Sequence, residues 1–190
     1  AGSTHPCEEE LILEAYKDLC RDFGDLKLVI APRHPQRCKE IAKIVSRAGF
    51  RSVFISSLPA QCPSCMTNPV FLLDTVGELL SFYALADIVF VGGSLVKKGG
   101  HNILEPASCA KPVLFGPYMF NFRDIADLFL SQQAAIMVHD KEDLKTNIEA
   151  LLKDLPGAMA MGERAKQLML KNQGATHRNI DYIRKNIAIL

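Results

Sequence analysis

Four stretches of this sequence carry residues whose types and spacing suit the binding of a small anionic ligand. Arg33 is held on a short loop between Pro32 and Pro35. A guanidinium on such a stiff loop suits phosphate or carboxylate, and a surface arginine in a tight turn is the plainer alternative. The run Gly92-Gly93-Ser94-Leu95-Val96-Lys97-Lys98-Gly99-Gly100-His101-Asn102 links a strand to a helix N-terminus. Glycines let backbone amides approach a phosphate, and a helix end favours negative charge. The spacing is neither that of a P-loop nor GxGxxG, and a long turn needing glycine for positive φ is the other reading. Glu105, one turn after Asn102, suits ribose hydroxyls, or it closes a capping box with Asn102. Gly77-Glu78 opens a helix whose first amides suit a base or a phosphate, although a glutamate there is also ordinary dipole chemistry.

Other polar groups are less promising. Cys62-Pro-Ser-Cys65 has metal or redox spacing, but a zinc site needs four ligands and no second such pair exists. His5, His34, His101, His139 and His177 show no ligand spacing, so no metal is expected. The remaining cysteines, Cys7, Cys20, Cys38 and Cys109, need no disulfides in a chain that can bury a good core, and Cys20, Cys38 and Cys109 fit small, partly buried helical positions. Arg178, Arg184 and Lys185 read as a solvated helix face.

These residues need a scaffold, and the composition supplies one. The chain has 190 residues, 48% hydrophobic, enough for one compact domain with its own core. The 22 Lys and Arg against 21 Asp and Glu leave a formal charge of +1, which disfavours nucleic acid as a partner. No apolar run reaches the roughly 18 residues of a membrane helix. The opening residues, Ala1 to Pro6, include neither an initiator Met nor a signal peptide and read as the middle of a longer protein.

Short apolar runs alternate with amphipathic segments. Strands are expected at Leu26 to Ala31, Arg51 to Ser57, Val70 to Leu73, Asp87 to Val91, Pro112 to Phe115 and Ala134 to Val138. A helix opening at Pro6 places Leu11, Ile12, Ala15 and Leu19 on one face, with Glu8, Glu9 and Glu10 in its first turn, where negative charge suits the dipole. Further helices are expected from Pro35 to Ala48, Gly77 to Ala86, Asn102 to Ala110 and Phe122 to Leu130, and from about 140 to the end, broken at Pro156-Gly157 and Gly174. Leu58 to Pro69 reads as an exposed loop. Strands apolar throughout and separated by helices imply an α/β fold, a doubly wound Rossmann-like parallel sheet of about six strands. In such a sheet ligands bind beyond the carboxyl ends of the strands, and all four stretches fall there.

The ordered set Ser3-Thr4-His5-Pro6, Ala31-Pro32-Arg33-His34-Pro35-Gln36-Arg37, Asp74-Thr75-Val76-Gly77-Glu78-Leu79, Gly92-Gly93-Ser94-Leu95-Val96, Gly99-Gly100-His101-Asn102, Leu104-Glu105-Pro106-Ala107 and Gly116-Pro117 with Asn121-Phe122 resembles the bacterial 3-deoxy-D-manno-octulosonic acid (Kdo) transferases of lipopolysaccharide synthesis. The likeness covers essentially the whole chain. It implies the C-terminal, donor-binding half of a GT-B glycosyltransferase, as a single domain over residues 1–190, with the N-terminal acceptor domain absent. It implies CMP-Kdo as donor substrate and no further cofactor, with inverting transfer to a lipid A precursor at the cytoplasmic face of the inner membrane. By the same resemblance the CMP contacts map onto Pro32, Arg33, Gly77, Glu78, Leu79, Asn102, Ile103, Leu104 and Glu105. No catalytic residue is expected here, because the family's general base, acceptor pocket and membrane contact lie in the N-terminal domain.

Two departures stand out. The family has Gly after Ser-Thr-His-Pro, where this chain has Cys7, and Leu58 to Met66 is particular to this sequence. Two alternatives stay open: a UDP-sugar-using GT-B transferase or epimerase, separated by base preference, and a non-catalytic Rossmann-like interaction module, separated by the absence of nucleotide binding.

Overall fold

A computed structural model describes residues 1–58 and 68–172. Its centre is a seven-stranded sheet, every pairing parallel: β1 (Gly2–Thr4), β2 (Leu28–Pro32), β3 (Ser52–Phe54), β4 (Val70–Leu72), β5 (Val89–Val91), β6 (Val113–Phe115) and β7 (Ile136–Met137). The spatial order is β3-β4-β2-β1-β5-β6-β7. The chain starts at the centre, builds one wing, then crosses to build the other. This is the doubly wound arrangement expected, with one strand more than the six read from sequence.

The additional strand is β1, and its composition explains why it escapes a search for apolar runs. Gly2-Ser3-Thr4 lies between β2 and β5, where both faces are tightly covered. A Cβ on Gly2 would fall 2.0 Å from the Tyr83 hydroxyl, and one on Gly92 would fall 2.6 Å from the Ser3 carbonyl oxygen. Small residues are what this strand can hold, and so it carries no hydrophobic signature.

Among the described residues seven α-helices cover the sheet: α1 (Glu8–Leu19), α2 (Cys38–Arg47), α3 (Leu79–Leu85), α4 (Leu104–Ser108), α5 (Arg123–Ser131), α6 (Lys141–Lys153) and α7 (Leu155–Asn172). Alternate strand residues face opposite layers, as the pleat requires. Val89, Val91, Val113 and Phe115 pack with Tyr83, Ile103, Ala126, Phe129 and Ala165, whereas Phe90 and Leu114 pack with Ile12, Leu144 and Leu151. On the other wing, Ile30, Val70 and Leu72 meet Leu13, Tyr16, Ile41 and Val45. Two buried faces are why these strands read as continuous apolar runs.

Several boundaries move. Helices α3 and α4 begin two residues later than expected, at Leu79 and Leu104. The break near Pro156 falls at Asp154, and Pro156 itself sits in the first turn of α7, where a missing N–H costs nothing. The Asp154 carboxylate accepts the Gly157 N–H at 3.0 Å and caps the new helix. The expected break at Gly174, the cluster Arg178, Arg184 and Lys185, and the pair Cys62 and Cys65 lie outside the described residues.

Candidate functional site

Parallel strands put all their carboxyl ends on one edge, and the candidate segments gather there. Pro32 ends β2 and is buried, Arg33 follows it exposed, and the Arg33 N–H donates to the Thr4 carbonyl at 3.0 Å. The stretch Asp74 to Glu78 follows β4, and Gly92 to Ile103 follows β5. The chain leaves β1 toward β2 on one side and later returns to β5 on the other. The loops after β2 and β5 therefore lead to helices on different core clusters, with β1 between them, the arrangement at which ligands bind in folds of this class.

The first turn of α1 does something other than decorate a dipole. Glu8 and Glu9 are fully buried, and only Glu10 faces solvent. The Glu8 carboxylate accepts N–H groups from Gly93 at 2.7 Å, Ser94 at 3.0 Å, Leu95 at 2.9 Å and His5 at 3.0 Å. Burial pushes its pKa up, and the four backbone donors pull it back. The glycine-rich turn thus does cradle an anion, but the anion is the chain's own. These amides are not a phosphate cradle, and the positive φ of Gly93, Gly99 and Gly100 fits the turn reading instead.

Glu9 holds the opposite loop. Its carboxylate accepts from the Thr4 hydroxyl at 2.9 Å and from both terminal nitrogens of Arg37, at 2.8 and 3.4 Å. This two-point pair fixes the segment that follows Arg33, a 3-10 turn at Pro35–Arg37. Two adjacent glutamates therefore brace the loops on either side of β1. A sequence signal for this existed: Glu8 and Glu9 precede Ile12 and Leu13 by one turn and lie on the same buried stripe.

A second feature has no local sequence signal. His5 and His101, 96 residues apart, bring their Nε2 atoms to 2.8 Å, with ring planes 3° apart and centroids 5.1 Å apart. One ring must donate and the other accept. The pair rests on Gly93, where φ is +67° and a Cβ would lie 3.0 Å from the His101 ring. Burial and the neighbouring His101, Lys98, His34 and Arg37 bring the His5 pKa down to about 4. Burial, Arg33 and His34 lower that of His101. Charged groups from the loops after β2 and β5 thus lie around the pair.

At the head of α4, the Asn102 side-chain oxygen accepts the Leu104 N–H at 3.1 Å, and its amide donates to Glu105 at 3.3 Å. The cap position itself falls on Ile103. Asn102 therefore closes the helix start and aims the half-buried Glu105, joining the two readings of that pair. Ile103 is 0% exposed, and its side chain belongs to the core. Leu79 and Leu104 pack against the same core cluster, which joins the heads of α3 and α4. Gly77 and Glu78 are exposed; Glu78 is hydrogen-bonded by the Thr75 hydroxyl, and Asp74 accepts from the Ser56 amide at 2.9 Å and hydroxyl at 2.5 Å.

Cys38 is buried, its thiol pushed up to about 11, and Cys20 and Cys109 are half-buried. Cys7 is exposed with φ of +76°, a left-handed conformation that glycine adopts freely. The position asks for glycine on conformational grounds rather than for close approach. Among the described residues no group of three or more His, Cys, Asp or Glu is arranged to hold a metal. None of their helices is long and apolar enough to cross a membrane.

No protein-family model matches the chain. The chain is 36% identical over 192 residues to a 3-deoxy-D-manno-octulosonic acid transferase of Haemophilus influenzae, covering 98% of this chain and 44% of that protein. It is 34% identical over 152 residues to the Aquifex aeolicus enzyme of the same name, covering 80% of this chain and 41% of that protein. The chain therefore spans under half the length of these relatives. Among solved structures it matches the C-terminal CMP-Kdo binding domain of WaaA from Acinetobacter baumannii with a TM-score of 0.81 and 34% identity, covering 90% of this chain and 87% of that one. With its doubly wound sheet and near-complete overlap with that domain, the chain belongs to the 3-deoxy-D-manno-octulosonic acid transferase family, as a counterpart of the C-terminal domain.

Proposed function

We propose that this chain binds CMP-Kdo and forms the donor half of an enzyme that transfers Kdo to a lipid A precursor. The observation that carries the reading is the gathering of Arg33, Gly77 to Leu79 and Asn102 to Glu105 on one sheet edge, in a chain that overlays a domain described as CMP-Kdo binding. Arg33 and the amides at the head of α4 other than that of Leu104, which Asn102 takes, hold the phosphate, since a guanidinium offers a fixed fork of donors and backbone N–H groups add direction. Glu105, aimed by Asn102, accepts from the ribose hydroxyls. Backbone groups of Gly77, Glu78 and Leu79 read the cytosine edge, whose exocyclic amine distinguishes it from uracil.

In the complete enzyme the acceptor hydroxyl attacks the Kdo anomeric carbon as the bond to the phosphate breaks, inverting that centre, and CMP leaves. Arg33 and the α4 amides stabilise the charge that develops on the leaving phosphate. The general base is a carboxylate of the N-terminal domain, which also carries the acceptor pocket and the contact with the cytoplasmic face of the inner membrane. The chain alone binds nucleotide weakly, in the millimolar range or about 4 kcal/mol, and transfers nothing.

An amide-shift NMR titration with CMP, UMP and UDP tests this reading. Shifts selective for CMP at Arg33, Gly77 to Leu79 and Asn102 to Glu105 are expected, and Arg33→Ala and Glu105→Ala weaken them. A preference for UDP moves the chain to the UDP-sugar-using class. Unchanged transfer by a full-length enzyme carrying both substitutions overturns the assignment.

A further inference from the structure

The His5–His101 pair is unused by the functional reading above, and its surroundings are unbalanced in charge. Its charged neighbours are Arg33, His34 and Arg37 from the loop after β2 and Lys98 from the loop after β5, of which Arg37 is already paired with Glu9 and Glu40. The buried carboxylates of α1, Glu8 and Glu9, are both committed. Glu8 accepts four backbone N–H groups, one of them from His5 itself, and Glu9 is tied to Thr4 and Arg37. A half-buried spot beside Arg33 and Lys98, with both of these carboxylates engaged elsewhere, suits an anion from outside.

The pair also has a defined proton capacity. Neutral, it holds one proton between the two Nε2 atoms at 2.8 Å. A further proton enters at the Nδ1 of the donating ring and leaves that bond intact, now assisted by charge. A second would set two N–H groups against each other across the same gap. The capacity is therefore one.

We propose that the His5–His101 pair is an oxyanion subsite beside the nucleotide residues, and that seating the anion is coupled to uptake of one proton from solvent by the pair. Burial first, and then the neighbouring charges, among them Lys98 and Arg33, keep the pair neutral, and an arriving phosphate or carboxylate offsets the second of these. Binding therefore tightens as pH falls through the window between the ligand-bound midpoint and the lower free one. The donor proposed above carries both a phosphate and a carboxylate, so the subsite refines that reading and rests on it for its natural ligand.

The test follows the imidazole resonances of His5 and His101 against pH in the chain alone and with inorganic phosphate, CMP or free Kdo. With at least one of the three, the pair's midpoint rises by about one pH unit, a tenfold gain in proton affinity. A rise with CMP and not with Kdo assigns the subsite to phosphate, and the reverse assigns it to carboxylate. His101→Gln removes proton uptake on binding, read as the dependence of binding heat on buffer ionisation heat, and His5→Gln does the same if the first variant does not fold. CMP shifts at Arg33 and Asn102 to Glu105 with unmoved histidine midpoints leave the nucleotide reading standing and overturn the subsite. A midpoint raised by phosphate without any CMP shift at those residues does the opposite. Silence of both sets with all three ligands overturns both.

Discussion

The two loops that follow β5 and β4 lie on the same edge of the sheet but are built in opposite ways. The β5 loop is held from inside. Glu8 collects the amides of Gly93, Ser94 and Leu95, the Ser94 hydroxyl donates to the Val91 carbonyl at 2.5 Å and accepts the Gly116 N–H at 2.8 Å, and Gly93 supports the histidine pair. The β4 loop is tied from outside, through Ser56 to Asp74 and Thr75 to Glu78, with Val76 86% exposed. The difference is one of dielectric. Hydrogen bonds to a buried carboxylate cannot be exchanged for water, so the first loop is fixed before any ligand arrives, whereas the second trades its bonds with solvent at little cost. A rigid wall suits the group whose charge changes, and an adjustable one suits a flat base.

The sharpest way to break this contrast is Glu8→Ala. It leaves three loop amides without their acceptor, at roughly 1–3 kcal/mol for each that stays dry, so a loss of about 3–5 kcal/mol is expected in a denaturant melt. Glu8→Gln keeps the shape and one acceptor oxygen and should lose less. A change under about 1 kcal/mol for Glu8→Ala would show that water replaces the carboxylate and that the loop is not held from inside.

Next in size is the pH dependence on the same side. The folded His5 pKa of about 4 lies below its ordinary 6.5, so between these values the unfolded chain carries a proton that the folded chain lacks. Stability therefore falls as pH drops from 6.5 toward 4, by on the order of 2 kcal/mol after allowance for the ring's partial exposure. His5→Asn should flatten this part of the profile; an unaltered slope would mean the pair is fully solvated.

On the outer side the effects are smaller. Asp74→Ala removes two exposed bonds from Ser56 and should cost about 1 kcal/mol while leaving the amide shifts at Asn102 to Glu105 in place. A loss as large as that of Glu8→Ala would erase the distinction between the loops. Smallest is Cys7→Gly. Relief of the left-handed strain, about 1–2 kcal/mol, is largely offset by the greater freedom of glycine in the unfolded chain, so a gain of about 0.5 kcal/mol is expected in the thermal melt.

Six of the seven strands are legible in the sequence as short, largely apolar runs, and in Val89–Val91 and Val113–Phe115 burial at every position demands them. The seventh, Gly2–Thr4, is hidden because its place in the middle of the sheet admits only small side chains. Arg33, Gly77, Glu78, Asn102 and Glu105 are legible as an edge, since parallel strands send all carboxyl ends one way. Glu8 and Glu9 carry a partial signal in their helical phase with Ile12 and Leu13, which the more familiar pairing of acidic residues with a helix dipole conceals.

What the sequence determines alone is therefore local and periodic: the α/β class, the sites where strands end, and a motif order specific enough to name the family. Tertiary structure decides which anion fills the glycine-rich turn, that two histidines 96 residues apart share a proton, and that Asn102 spends its side chain on aiming Glu105. Periodicity reports only burial, and burial is a property of single residues. Hydrogen-bond partners and the balance of charge are properties of pairs, and the pairs exist only once the loops of distant strands have been brought to the same edge.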